Sequence, residues 1–256
     1  MILFEKNLKK AIYFLVPFII YEILRECVYV LVQSIWPASS DSFKLLFAGI
    51  ITLPVMVWMY LKERLPDKRA NISKKNSGWQ MMLCGCLLGC FMGLFFSFLA
   101  TFFSAENLSV SYRIITQSLF SGEVWMQLFG VGIIIPIAEE MTFRGLVYTR
   151  AKSVFSNTIV AALFSSVLFG LFHGNIVQMI VAFLSGCVMC LLYERSGGVL
   201  ATVLFHIGFN LPSVILKNTG FYIASRQTLG LLTLVSGVIC AAGVVFLIVH
   251  KAVAKR

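Results

Sequence analysis

Runs of about 20 apolar residues, the length a helix needs to cross roughly 30 Å of hydrocarbon, recur along almost the whole chain. Only 12% of its 256 residues are charged and 59% are hydrophobic, whereas a soluble domain carries about 25% charged residues. The expected fold is therefore all-α, a polytopic membrane bundle of about eight transmembrane helices. The spans read as Ala11 to Trp36, Phe43 to Leu61, Trp79 to Phe103, Val124 to Phe143, Thr158 to Phe172, Val177 to Tyr193, Val199 to Leu216 and Leu229 to Val249. The fifth and sixth are short. No linker, repeat or low-complexity tract divides the sequence, so residues 1–256 read as one integral membrane domain.

A net charge of +10 raises the question of a nucleic-acid partner, but the basic residues sit in short loops at alternate ends of the spans and form no single patch. Topology accounts for them instead. With both termini cytosolic, Lys6, Lys9, Lys10, the cluster from Lys62 to Lys75, Arg144, Arg150, Lys152, Arg195, Lys251, Lys255 and Arg256 fall inside. Only Lys44, Arg113, Lys217 and Arg226 fall outside, as the positive-inside rule requires. The polar connection from Lys62 to Gly78, with Pro66, suits a solvated orientation anchor against anionic headgroups. A cleaved signal peptide is not expected, because the first span is too long and no small-residue cleavage site follows its core. The expected setting is the cell membrane, with several passes.

Seven cysteines, six of them in apolar spans, imply no disulfide framework, and the lone pair Cys187 and Cys190 lacks a redox or metal context. Gly85, Gly89 and Gly93 recur every four residues and form a stripe along which another helix can approach closely. In the first span Glu22, Arg25 and Glu26 interrupt the apolar run at helical spacing, which suits a structural ion pair, a break between two shorter helices or a polar lining to a substrate entrance.

Ionisable residues inside apolar spans are costly and mark pathways or reaction centres. Glu139, Glu140 and Arg144 lie together in the fourth span, expected near its cytosolic end, with Pro136 able to kink the helix before them. Glu140 and Arg144, four apart, share a helix face, so the arginine can hold Glu140 ionised. Glu139 points about 100° away and is free to face a water. Of only three histidines, His173 ends the fifth span after Phe169, and His206 lies in the seventh one turn before Asn210. His250 reads as interfacial. Two carboxylates, two imidazoles and an amide supply a base, a second proton handler or metal ligand, and donors for an oxyanion.

The strings EExxxR (Glu139, Glu140, Arg144), FxxxH (Phe169, His173) and HxxxN (His206, Asn210), in this order on successive late helices, resemble the CPBP family of intramembrane proteases. That family includes the type II CAAX prenyl endopeptidases and the bacterial Abi proteins associated with bacteriocin immunity. The resemblance spans 124–216. It implies that Glu139 activates the attacking water with His173 beside it, that His206 and Asn210 stabilise the oxyanion, and that Glu140, Arg144 and Phe169 support the centre. Zinc held by Glu139, His173 and His206 is chemically reasonable, although no H-E-x-x-H signature occurs, and metal-assisted and glutamate-only hydrolysis both stay open at this point.

Other intramembrane chemistries lack their residues: Asp41 and Asp67 lie in loops, and the Phe183 to Gly186 string departs from a serine-protease G-x-S-G. The expected activity is hydrolysis of a peptide bond in a membrane-associated protein or peptide, near the cytosolic interface. CAAX-type, pheromone and bacteriocin processing all suit it. The alternative is a non-catalytic membrane partner that regulates a sensor kinase, transporter or bacteriocin receptor. An ion-coupled transporter would show inverted repeats, which the sequence lacks. Oligomeric state is not legible. One conflict stands: this topology puts His173 near the outer face and Glu139 near the inner one, although the two must meet at one depth.

Overall fold

The computed structural model describes residues 2–67, 78–219 and 225–249, with side chains described over 12–63, 78–219 and 225–249. Lipid offers no partners to backbone amides, so helices are the natural spanning element, and the described residues form helices and no strands. We number them α1 Ile2–Ile35, α2 Asp41–Asp67, α3 Trp79–Phe102, α4 Ala105–Leu108, α5 Val110–Leu119, α6 Val124–Phe155, α7 Thr158–Leu171, α8 Ile176–Ser196, α9 Val199–Asn218 and α10 Arg226–Val249.

Six of these, α2, α3, α6, α8, α9 and α10, are long and apolar enough to cross a membrane, and the chain is an integral multi-pass membrane protein. Eight full spans were expected. Helix α1 is long enough, but Glu22, Arg25 and Glu26 interrupt every apolar stretch of spanning length within it. Helix α7 has 14 residues and so reaches only about 21 Å.

Two sets of contacts define the ends of the bundle. At one end Arg150 pairs with Glu63, Lys152 Nζ lies 2.6 Å from Glu194, and Arg195 donates to the carbonyl of Ile248. We call this the basic face. At the other, Ser118 donates to Asp41 at 2.7 Å, Lys217 pairs with Glu106 at 3.0 Å, and Asn218 donates to Gln127 at 2.6 Å. The short helices α4 and α5 lie at this end, and we call it the α5 face. The polar connection from Lys62 to Gly78 falls mainly on residues 68–77, outside the described residues, as do His250, Lys251, Lys255 and Arg256.

The glycine stripe of α3 forms the expected seam, and its partner is α9. A Cβ on Gly85, Gly89 or Gly93 would meet the carbonyl oxygens of Ala201, Phe205 and Phe209 at 2.7, 2.0 and 2.2 Å. Each step of four on α3 matches a step of four on α9, so the two helices run parallel with their backbones nearly touching. Residues 206 and 210 follow two of these contact points directly, so the seam sets the position of α9.

Helix α6 is longer and less regular than expected. It runs past Phe143 to Phe155, with wider, π-type turns at Gly130–Ile134 and Met141–Tyr148 on either side of Ile135–Glu140. Such insertions re-aim side chains and leave carbonyls short of their normal partners. Glu139 therefore sits midway along α6 and not near one end. Helix α7 starts at the basic face, where the Asn157 side chain accepts from Ile159 and Val160, and stops within the bundle. Gly174, with φ of +71°, lets the chain reverse there, and Asn175 caps α8 by accepting from the Gln178 amide. This short helix eases the depth conflict: Phe169 packs against both His173 and His206, and His206 neighbours Glu139.

Candidate active site

The centre is built outward from Arg144, which is fully buried. Its Nη1 donates to Glu140 Oε1 at 2.6 Å, and its guanidinium lies over the Phe169 ring with Cζ 4.4 Å from the centroid. The ring supplies attraction to a cation that finds no second hydrogen-bond acceptor among the described residues. Gly186 makes room for it, since a Cβ there would meet Arg144 Nη2 at 3.1 Å. The sequence reading passed over Gly186 as part of a rejected serine motif; no local signal gives it a role.

Glu140 also faces His206, whose Nδ1 lies 3.0 Å from the same Oε1. An ionised carboxylate only accepts, so Nδ1 carries the proton and Nε2 is turned toward Glu139 Oε2, 3.7 Å away. His206 thus stands between the two adjacent glutamates, fixed by one and presented to the other. Phe169 packs edge-on against both imidazoles, with centroid distances of 5.0 Å to His173 and 5.6 Å to His206.

His173 is oriented by its own helix end. Its Nδ1 lies 2.8 Å from the Phe169 carbonyl, which can only accept, so the proton is on Nδ1 and Nε2 remains an acceptor. Asn210 donates one amide hydrogen to the Val131 carbonyl at 2.8 Å, within the first widened turn of α6. Its second amide hydrogen is not committed to that bond. The Val131 contact was not legible in the sequence, because it depends on an irregular turn that no motif announces.

Glu139, His173, His206 and Asn210 all line one cavity of about 710 Å³. Arg25 lines it too, paired with Glu22 at 3.2 Å and Glu26 at 2.6 Å and lying over Phe172. The cluster is thus an ion-pair network, and of its three residues Arg25 lines the cavity. Among the described residues no three His, Cys, Asp or Glu side chains converge as a metal site, while Nδ1 of both His206 and His173 lies against an acceptor and leaves Nε2 free, the pattern a metal-ligating histidine also uses. The seven cysteines are unpaired, and Cys190 is buried against α7.

Residues 121–212 match the model of the family described as Type II CAAX prenyl endopeptidase Rce1-like. The matched stretch contains all three motifs, so the resemblance read from them is borne out. No curated protein and no solved structure shows significant similarity to the chain.

Proposed function

We propose that the chain is an intramembrane endopeptidase that hydrolyses a peptide bond of a membrane-associated protein or peptide by glutamate-activated water. The observation that carries this reading is the juxtaposition of Glu139 with a histidine whose opposite nitrogen is held by Glu140. In the reaction, Glu139 accepts a proton from water, and the water oxygen bonds to the scissile carbonyl carbon. His173, as an acceptor, orients that water. The developing oxyanion takes a hydrogen bond from the free amide hydrogen of Asn210, and from His206 Nε2 when that nitrogen too is protonated. Collapse breaks the C–N bond as Glu139 returns its proton to the departing amine, giving one carboxylate and one amine. Glu140 and Arg144 touch no reacting atom; they fix the tautomer and position of His206.

The matched family description supports a CAAX-type endopeptidase. The test is paired proteomics of host cells carrying the wild-type protein or Glu139→Ala at matched membrane abundance. New peptide termini that depend on Glu139 support the reading and identify the cleavage sites. Their absence, with the phenotype retained, would favour the non-catalytic partner.

A further inference from the structure

The cavity opens on the face opposite the basic one. Its rim is formed at the α5 face by Ser104 and Asn107, and by Lys217 with Glu106. Its floor is Glu139, midway along α6, and His206. No residue from the basic-face ends of the helices lines it. Below Glu139 the bundle is closed by Phe143, Leu146, Val147 and Tyr148, all fully buried. Lys217 and His206 are eleven residues apart on α9, a drop of about 16 Å from rim to floor.

Charge separates the same two faces. Lys62, Arg64, Arg150, Lys152 and Arg195 lie at the basic face against Glu63, Asp67 and Glu194, and the sequence adds Lys68, Arg69, Lys74 and Lys75 between α2 and α3. The α5 face carries Lys44, Arg113, Lys217 and Arg226 against Asp41, Glu106 and Glu123, and is close to neutral. Lys/Arg excess marks the cytosolic side of short-looped membrane proteins.

Resting on the hydrolase reading of the site, the geometry points to an exported substrate: a peptide chain on the non-cytosolic side that threads an apolar stretch down to Glu139. An extended chain rises about 3.3 Å per residue, so the drop accepts roughly five residues. Phe96, Ile115, Leu119, Phe209 and Leu216 wall the passage together with Ser97, Thr116 and Ser213, so it takes a largely apolar stretch that carries small polar side chains. A prenylated tail presented in the cytosol would meet the closed end of the bundle. Cleavage near the cytosolic interface, the expectation from sequence, gives way on this reading to cleavage reached from outside.

The experiment uses the full chain in spheroplasts and in inverted vesicles, labelled with a membrane-impermeant maleimide. Asn107→Cys and Lys217→Cys report the rim, Ser153→Cys reports the basic face, and the wild-type chain supplies the background of native cysteines. Rim cysteines labelled above background in spheroplasts, with Ser153→Cys labelled only in inverted vesicles, are expected. Glu139-dependent termini are expected in exported segments. Rim labelling confined to inverted vesicles, or termini confined to cytosolic segments, overturns the sidedness and leaves the hydrolase reading standing. Correct sidedness with no Glu139-dependent terminus in any protein removes the hydrolase reading and this inference with it.

Discussion

His206 Nδ1 lies 3.0 Å from Glu140 Oε1, the same oxygen that accepts from Arg144 at 2.6 Å. One carboxylate oxygen therefore binds both a buried cation and the imidazole that faces the neighbouring glutamate. The two adjacent glutamates do different work for this reason, and they separate by mutation. Glu140→Gln leaves Arg144 buried without its counter-charge, a change that costs about 3–5 kcal/mol when a buried pair is broken. A lowered thermal midpoint of the detergent-solubilised protein is expected.

Glu139→Gln removes the base and keeps the shape. Loss of a positioned general base costs about 10²–10⁴ in rate, so cleavage falls by that factor while thermal stability and membrane abundance stay near wild type. Side-by-side melting curves and cleavage rates for the two variants check the division.

The α3 and α9 seam gives a test remote from the chemistry. A Cβ at Gly89 would stand 2.0 Å from the Phe205 carbonyl oxygen, backbone that cannot swing aside. Gly89→Ala is expected to push α9 away, displacing His206 and Asn210, with loss of both thermal stability and cleavage. Gly78→Ala meets nothing within 4 Å and serves as the matched control.

Much of this was legible because the motifs combine residue types that lipid penalises with helical spacing. The Glu140 and Arg144 pair followed from a separation of four, and the Gly85, Gly89 and Gly93 stripe followed from the same arithmetic. What the sequence could not supply was depth. Hydropathy extends the fifth span to Phe172 because Leu171 and Phe172 are apolar whether they face lipid or a protein interior. The turn at Gly174 and the cap by Asn175 decide where α7 stops. The widened turns of α6 were equally hidden, so Glu139 seemed closer to one end and the Asn210 bond to Val131 had no signature.

Asn210→Ala removes an amide that anchors α9 to α6 and has one hydrogen left for the oxyanion. Loss of one such donor typically costs about 10²–10³ in kcat. A fall of that size with KM little changed is expected, since the interaction forms only as charge develops.

The proposed step uses Glu139 alone to activate water, although Nδ1 of both His206 and His173 is held by an acceptor and Nε2 is left free, as in a metal-ligating histidine. Prolonged dialysis of the purified protein against a strong chelator is expected to leave its cleavage rate unchanged. A loss restored by added zinc would reverse that assignment.

The most direct measurement takes a synthetic peptide spanning a Glu139-dependent cleavage site and compares its hydrolysis by reconstituted wild-type protein and by Glu139→Gln. The account predicts cleavage at the cellular site by the wild type and a rate lower by about 10²–10⁴ for the variant. Equal rates from the two proteins would contradict it.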